Sequence, residues 1–263
     1  MTSCRTAPTR TFPCPVLTIL CALGVLAFAR PAAAEVKVER KPPVVERKTF
    51  DPANHPKEMP ELHGAELAVT VSQYDCVIGV STEMTQRMLP KNRALVTYGV
   101  RRMTASLSLK ITIWLPENAS EKLKAHEEGH REIAERAYQN GEPLARKAAA
   151  RIDGRRVAGE GETLDKAEEI ANAKVKALSD EFTKAYREAL VIPANRVQNY
   201  YDELTAHGSK TDPDEKRAVQ LAFEKDAEEQ KKGTGKPAAT SASTSRPATR
   251  PAAAATTRPA PRR

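Results

Sequence analysis

Residues 106–139 read SLSLKITIWLPENASEKLKAHEEGHREIAERAYQ, and a change of period inside this stretch decides the fold. Leu107, Leu109, Ile111, Ile113 and Leu115 alternate with Ser106, Ser108, Lys110, Thr112 and Trp114. Successive side chains of a strand point to opposite faces, so one face here is apolar and the other mostly polar, as in an antiparallel sheet covered on one side. Beyond Pro116 the period turns helical. Asn118 reads as the cap, with Glu121 at the third helical position. The helix is predicted to run to about Tyr138, where Asn140-Gly141 stops it. At about 100° per residue, Leu123, Ile133, Ala134 and Ala137 share one stripe with His126, Glu127 and His130. Lys124, Glu128, Arg131, Glu132 and Glu135 take the opposite face. The expected class is α+β: a small antiparallel sheet followed by a helical region.

His126-Glu127-Glu128-Gly129-His130 matches H-E-x-x-H. Imidazoles at i and i+4 of a helix stand one above the other and can reach one metal ion, and the glutamate beside them can serve as a general base. A carboxylate on the apolar stripe is costly unless something pairs with it, and a metal centre would remove that cost. The plain alternative is a pair of ordinary interior histidines, with Glu127 reaching water at the edge of the stripe.

A catalytic zinc needs a third protein ligand. A metzincin would carry a histidine six residues after His130, but Arg136 stands there. Glu168, Glu169 and Glu181 lie downstream on a Glu-rich helix and read as solvated charges. His207, in Tyr200-Tyr201-Asp202-Glu203-Leu204-Thr205-Ala206-His207-Gly208, is the only histidine after the motif, and Gly208 permits a tight turn. H-E-x-x-H followed about seventy residues later by Tyr201-Asp202-x-x-Thr205-x-His207-Gly208 resembles a bacterial family of predicted secreted zinc-dependent proteases. The resemblance covers residues 66 to 210 and implies a zincin-like arrangement. It also implies His207 as the third zinc ligand beside His126 and His130, Asp202 as an alternative ligand or orienting carboxylate, and Tyr201 as a hydrogen-bond donor to the developing oxyanion. The long helix before this motif and the basic tail are not assigned by the resemblance.

The expected activity is peptide hydrolysis by zinc-activated water, with Glu127 as the base and the strand Ser106–Leu115 holding the substrate. The alternatives are a non-catalytic envelope protein that uses its long helix for interaction, or a metal-binding protein without hydrolase activity.

The remaining chain divides by composition. Residues 1–34 read as a cleaved secretory signal peptide: Arg5 and Arg10, an apolar run from Val16 to Phe28, then Ala32-Ala33-Ala34. That places the protein in the periplasm or outside the cell. Residues 35–62 read as an extended Pro-rich lead-in that could act as a pro-segment, and His55 and His63 as loop histidines. The protease-like domain is assigned to 63–230. Within it, strands are expected around Leu67–Val71, Cys76–Val80 and Ala94–Val100, and a Gly-bearing loop over 154–161. A short helix is expected from Pro143 to Ile152, a long one from about Leu164 to Leu190 that Pro193 ends, and a last one from Asp212 to about Gln230. Residues 231–263 read as a disordered basic tail suited to an anionic envelope polymer. The net charge of +8 is misleading, because this tail holds eight Lys or Arg and the leader three, neither with an acid. The part between them carries −3, which implies no nucleic-acid partner for the globular domain. Cys76 is the only cysteine beyond the leader and reads as a small core residue.

Overall fold

A computed structural model describes residues 35–62, 66–90, 93–210 and 212–233. The expected signal peptide, His63 and residues 234–263 of the expected tail lie outside the described residues. Nine elements follow one another: β1 (Glu35–Arg40), β2 (Val44–Phe50), β3 (Val69–Leu89), β4 (Arg93–Pro116), α1 (Glu121–Gln139), α2 (Gly141–Ala149), β5 (Arg156–Gly161), α3 (Leu164–Thr205) and α4 (Glu215–Gly233). The chain is thus of mixed helix and sheet, as the α+β expectation requires.

β4 is the hub of the sheet. The three short strands expected between 66 and 100 are parts of two long ones, β3 and β4, which pair antiparallel from Val69↔Trp114 to Leu89↔Arg93. The other edge of β4 is filled in series by β5 (antiparallel, against Ala94–Gly99), β1 (parallel, against Arg102–Leu107) and β2 (parallel, against Lys110–Pro116). The sheet is therefore mixed rather than antiparallel. The lead-in supplies the parallel strands, because Val36, Val38 and Val45 reach the core from it and Pro42-Pro43 merely separates two short strands. Within residues 35–50, β1 and β2 are strands of the sheet. The rest of the lead-in folds back, so that Phe50, Met59 and Leu62 pack on Trp114 and Val69. The 154–161 region, expected as a loop, contains β5. Because both edges of β4 are occupied, Ser106–Leu115 has no free edge to pair with a peptide. Among the described residues the outer edges of the sheet are β3 on one side and β5, β1 and β2 on the other, each of which pairs only with β4.

The alternation at 107–113 does what its period demands. Leu107, Leu109, Ile111 and Ile113 are all at most 1% exposed and face the helices. Burial of each such side chain contributes about 1.5–3 kcal/mol. They meet Ala134 and Tyr138 of α1, Ala145 and Ala148 of α2, and Leu178, Phe182 and Tyr186 of α3. Cys76 packs against this core, and burial pushes its thiol pKa up to about 12.

Several helix boundaries differ from expectation. The cap of α1 is Ser120, whose Oγ accepts from the Leu123 N–H, and not Asn118, which belongs to the turn closed by Ala119 N–H on the Pro116 carbonyl. α3 does not stop before Pro193 but runs through it to Thr205. A proline inside a helix loses one backbone hydrogen bond. Here Ala194, Val197 and Tyr201 beyond it are all at most 2% exposed, and that packing outweighs the loss. α4 likewise runs past Gln230 to Gly233, taking in the first residues of the expected tail. No helix among the described residues is long and apolar enough to cross a membrane.

β5 lies tight under the first turns of α3. A Cβ on Gly159 would sit 1.9 Å from the Ala167 carbonyl oxygen and 2.6 Å from the Ala171 nitrogen, both backbone atoms. Gly159→Ala is therefore expected to cost about 1–3 kcal/mol, read as a lower midpoint in denaturant unfolding. A midpoint equal to that of the parent would contradict this packing.

Candidate metal centre

His126 and His130 stand one turn apart on α1, and their Nε2 atoms are 3.2 Å apart. Asp202, near the C-terminal end of α3, brings Oδ1 to 3.4 Å from His126 Nε2 and 2.9 Å from His130 Nε2. Among the described residues these three form the one group of ligand-type side chains whose donor atoms all lie within 4.8 Å of one another. A metal with bonds of about 2.0–2.2 Å sets neighbouring donors roughly 2.8–3.6 Å apart, from octahedral to tetrahedral geometry. The observed triangle has that size, and two imidazoles with one carboxylate are a donor set that divalent transition metals accept.

The third member of the group that could hold a metal ion is thus Asp202, the alternative, while His207 lies beside it outside that group. Thr205 ends α3, and Ala206 and His207 follow with positive φ of 47° and 52°. This turn carries His207 outward. Its Nδ1 is 3.7 Å from Asp202 Oδ1, but it lies outside the compact set. Gly208, with φ 75°, then comes back against His126, where a Cβ would lie 3.0 Å from the ring. Side-chain exposure rises from 4% at His126 through 13% at His130 and 23% at Asp202 to 49% at His207, so the cluster opens to solvent on the Asp202 side.

Glu127 is only 3% exposed and turns toward the sheet, where Thr70 Oγ1 on β3 donates to its Oε2 at 2.6 Å. Burial raises its pKa, partly countered by the nearby His130, the Thr70 hydrogen bond and His126. Asp202 moves the other way: burial alone would raise it, but hydrogen bonds from His126 and His130 hold it well below the usual carboxylate range. For His130, burial opposes the charged ring, yet the hydrogen bond and charge of Asp202, the charge of Glu127 and the Gln198 hydrogen bond together lift its pKa to about 9.

Tyr201 does not face the opening. It is fully buried, its ring stacks on His126 at 5.0 Å and 11°, and it meets His130 edge-on. Its hydroxyl donates to the His126 carbonyl at 3.1 Å, so it holds α1 instead of presenting a donor to substrate. Gly129 makes room for it: a Cβ there would lie 2.1 Å from the Tyr201 oxygen. The glutamates set aside earlier are engaged elsewhere, Glu168 with Tyr98, Glu169 with Lys166 and Glu181 with Arg155.

No family model, curated protein or solved structure matches the chain.

The sequence reading missed two residues of the site. Gln198 binds His130 twice, through Oε1 to Nδ1 at 2.5 Å and through Nε2 to the carbonyl at 3.0 Å. It stands one turn before Asp202, a spacing readable once α3 is known to continue past Pro193. Thr70 gave no local signal, because nothing in its strand marks it as facing Glu127.

Proton and metal compete for the same nitrogen. Below about pH 9 the metal-free ring of His130 is charged, and a metal ion must displace that proton. Apparent metal affinity is therefore expected to tighten about tenfold per pH unit from 6 toward 9, one proton leaving per ion bound, and to level off above. Titration with Co2+ at several pH values measures this, and a flat profile would contradict the assignment of His130.

Proposed function

We propose that this protein is an exported, zinc-dependent peptidase with a zincin-like arrangement of metal helix and sheet edge. The observation that carries the reading is the convergence of His126, His130 and Asp202 donors at 2.9–3.4 Å, with the buried Glu127 carboxylate next to them in the chain. The likeness to secreted zinc-dependent proteases agrees with it on His126, Glu127, His130 and Asp202. That likeness implies His207 as the third ligand, where the present reading uses the Asp202 carboxylate.

Zinc held by these three residues would supply Lewis-acid polarisation of the attacking water and of the substrate carbonyl. Glu127, its pKa raised by burial, accepts the proton from that water and delivers it to the departing amine nitrogen. Thr70 holds the carboxylate in place. Thr70 also belongs to β3, whose free edge can take an extended peptide as an added strand close to the base. The exposed side at Asp202 and His207 admits the substrate.

Glu127→Gln keeps the hydrogen-bonding shape of the side chain but removes the base. The expected result is one zinc per chain, as in the parent, with hydrolysis of an unfolded protein substrate lowered by about a hundredfold or more. Cleavage at the parental rate would remove Glu127 from the mechanism, and a parent chain that takes up no metal would remove the metal reading itself.

One observation favours a second reading, a closed non-catalytic metal centre: His207 Nδ1 lies 3.7 Å from Asp202 Oδ1 and could complete a four-residue set. His207→Ala separates the two. The peptidase reading expects metal content to stay at one per chain and cleavage to remain within about tenfold, because three protein ligands suffice for a catalytic zinc. Loss of the metal on this substitution would support the closed centre.

A further inference from the structure

Gln198 makes both of its hydrogen bonds to one residue. Its amide faces the His130 carbonyl oxygen at 3.0 Å and His130 Nδ1 at 2.5 Å. A carbonyl oxygen only accepts, so the group facing it must be the amide NH2. The other end is then the amide oxygen, which has no proton to give. His130 Nδ1 must supply it. The same logic holds at His126. The single hydroxyl proton of Thr205 is directed to the Tyr201 carbonyl at 2.8 Å, which leaves Oγ1 to accept from His126 Nδ1 at 3.4 Å.

We infer that Gln198 and Thr205 are positioning residues, a lock that keeps the Nδ1 of both imidazoles protonated, so that Nε2, the nitrogen facing Asp202, is the one each ring gives up to a cation. This rests on the metal-centre reading above. Each ring nitrogen of a neutral histidine takes the role that the partner of the other nitrogen leaves to it. Here the two partners come from α3, one turn either side of Asp202, so a single helix supplies the third ligand and orients the first two. Both partners are uncharged, which leaves the anionic share of the donor set to Asp202 alone.

The test uses the mature chain, metal-free and 15N-labelled, with Gln198→Leu, Gln198→Glu and Thr205→Val. Two readouts are taken: the ring Nδ1–H resonances of His126 and His130, and Co2+ affinity by chelator competition together with the visible spectrum of the bound ion. Gln198→Leu should expose the His130 Nδ1 proton to exchange and weaken Co2+ binding about 10–100-fold. Thr205→Val should do the same at His126. Gln198→Glu retains an acceptor for the Nδ1 proton though it cannot donate to the carbonyl, so it should bind Co2+ within a few-fold of the parent, with the parental spectrum. Parental affinity in Gln198→Leu, or equal weakening by Leu and Glu, would overturn the lock. If the parent takes up no Co2+ but shows both Nδ1 protons, and Leu loses one of them, the metal reading falls while the lock stands. Nδ1 resonances indifferent to Gln198→Leu would sink the lock whatever the metal does.

Discussion

The space left by the missing side chain of Gly129 governs the candidate centre. Tyr201 fills it, lying flat on one imidazole and edge-on to the other, with its hydroxyl on the His126 carbonyl. One aromatic residue thereby fixes the distance, the rotation and the register of α3 against α1. Asp202 is the next residue in the chain, so its carboxylate falls at the two Nε2 atoms because Tyr201 is seated where it is. Gln198 and Thr205, a turn to each side, reach the far nitrogens by the same register. A helix pair that approached less closely would leave these side chains short of the rings.

The electrostatics of the cluster follow from crowding in a largely buried space that opens to solvent only on the Asp202 side. Two carboxylates and two imidazoles are brought together, and the proton equilibria of Glu127, His130 and Asp202 move as a result. Asp202 and Glu127 respond in opposite directions because their partners differ: Asp202 accepts from the rings, whereas Glu127 is satisfied mainly by one neutral hydroxyl. One carboxylate is thereby kept strongly anionic and the other made more basic, a division of labour set by position in the fold and not by residue type.

The parts of the sequence that could be read were those where burial imposes a period. The alternation at 107–113 and the apolar stripe of α1 both emerge as the faces that are buried. What failed was inference from local composition. Prolines made residues 35–50 look unstructured, yet their valines alternate well enough to form two strands against β4. Pro193 made α3 look finished at 190, although tertiary packing carries it fifteen residues further. That error left Asp202 as the alternative behind His207. On a helix running to 205, positions 198, 201, 202 and 205 share a face, and position 207 falls beyond the left-handed turn that follows. The choice between Asp202 and His207 was thus a question about where a helix ends, which residue types alone could not answer.

The parallel placement of β1 and β2 has a consequence for the order in which the fold is made. Glu35 pairs with Arg102 and Val44 with Lys110, so the first strands of the described chain find their partners more than sixty residues later. A ribosome or translocation pore releases these strands first, but nothing they can pair with exists until β4 has followed. Contacts of such long sequence separation slow assembly, since the chain must be closed into a large loop before it gains anything from them. The β3–β4 hairpin, joined by a short connection, is the natural nucleus. The N-terminal strands would then be among the last pieces to dock, sealing the second edge of β4 only once the helical layer has begun to cover its face.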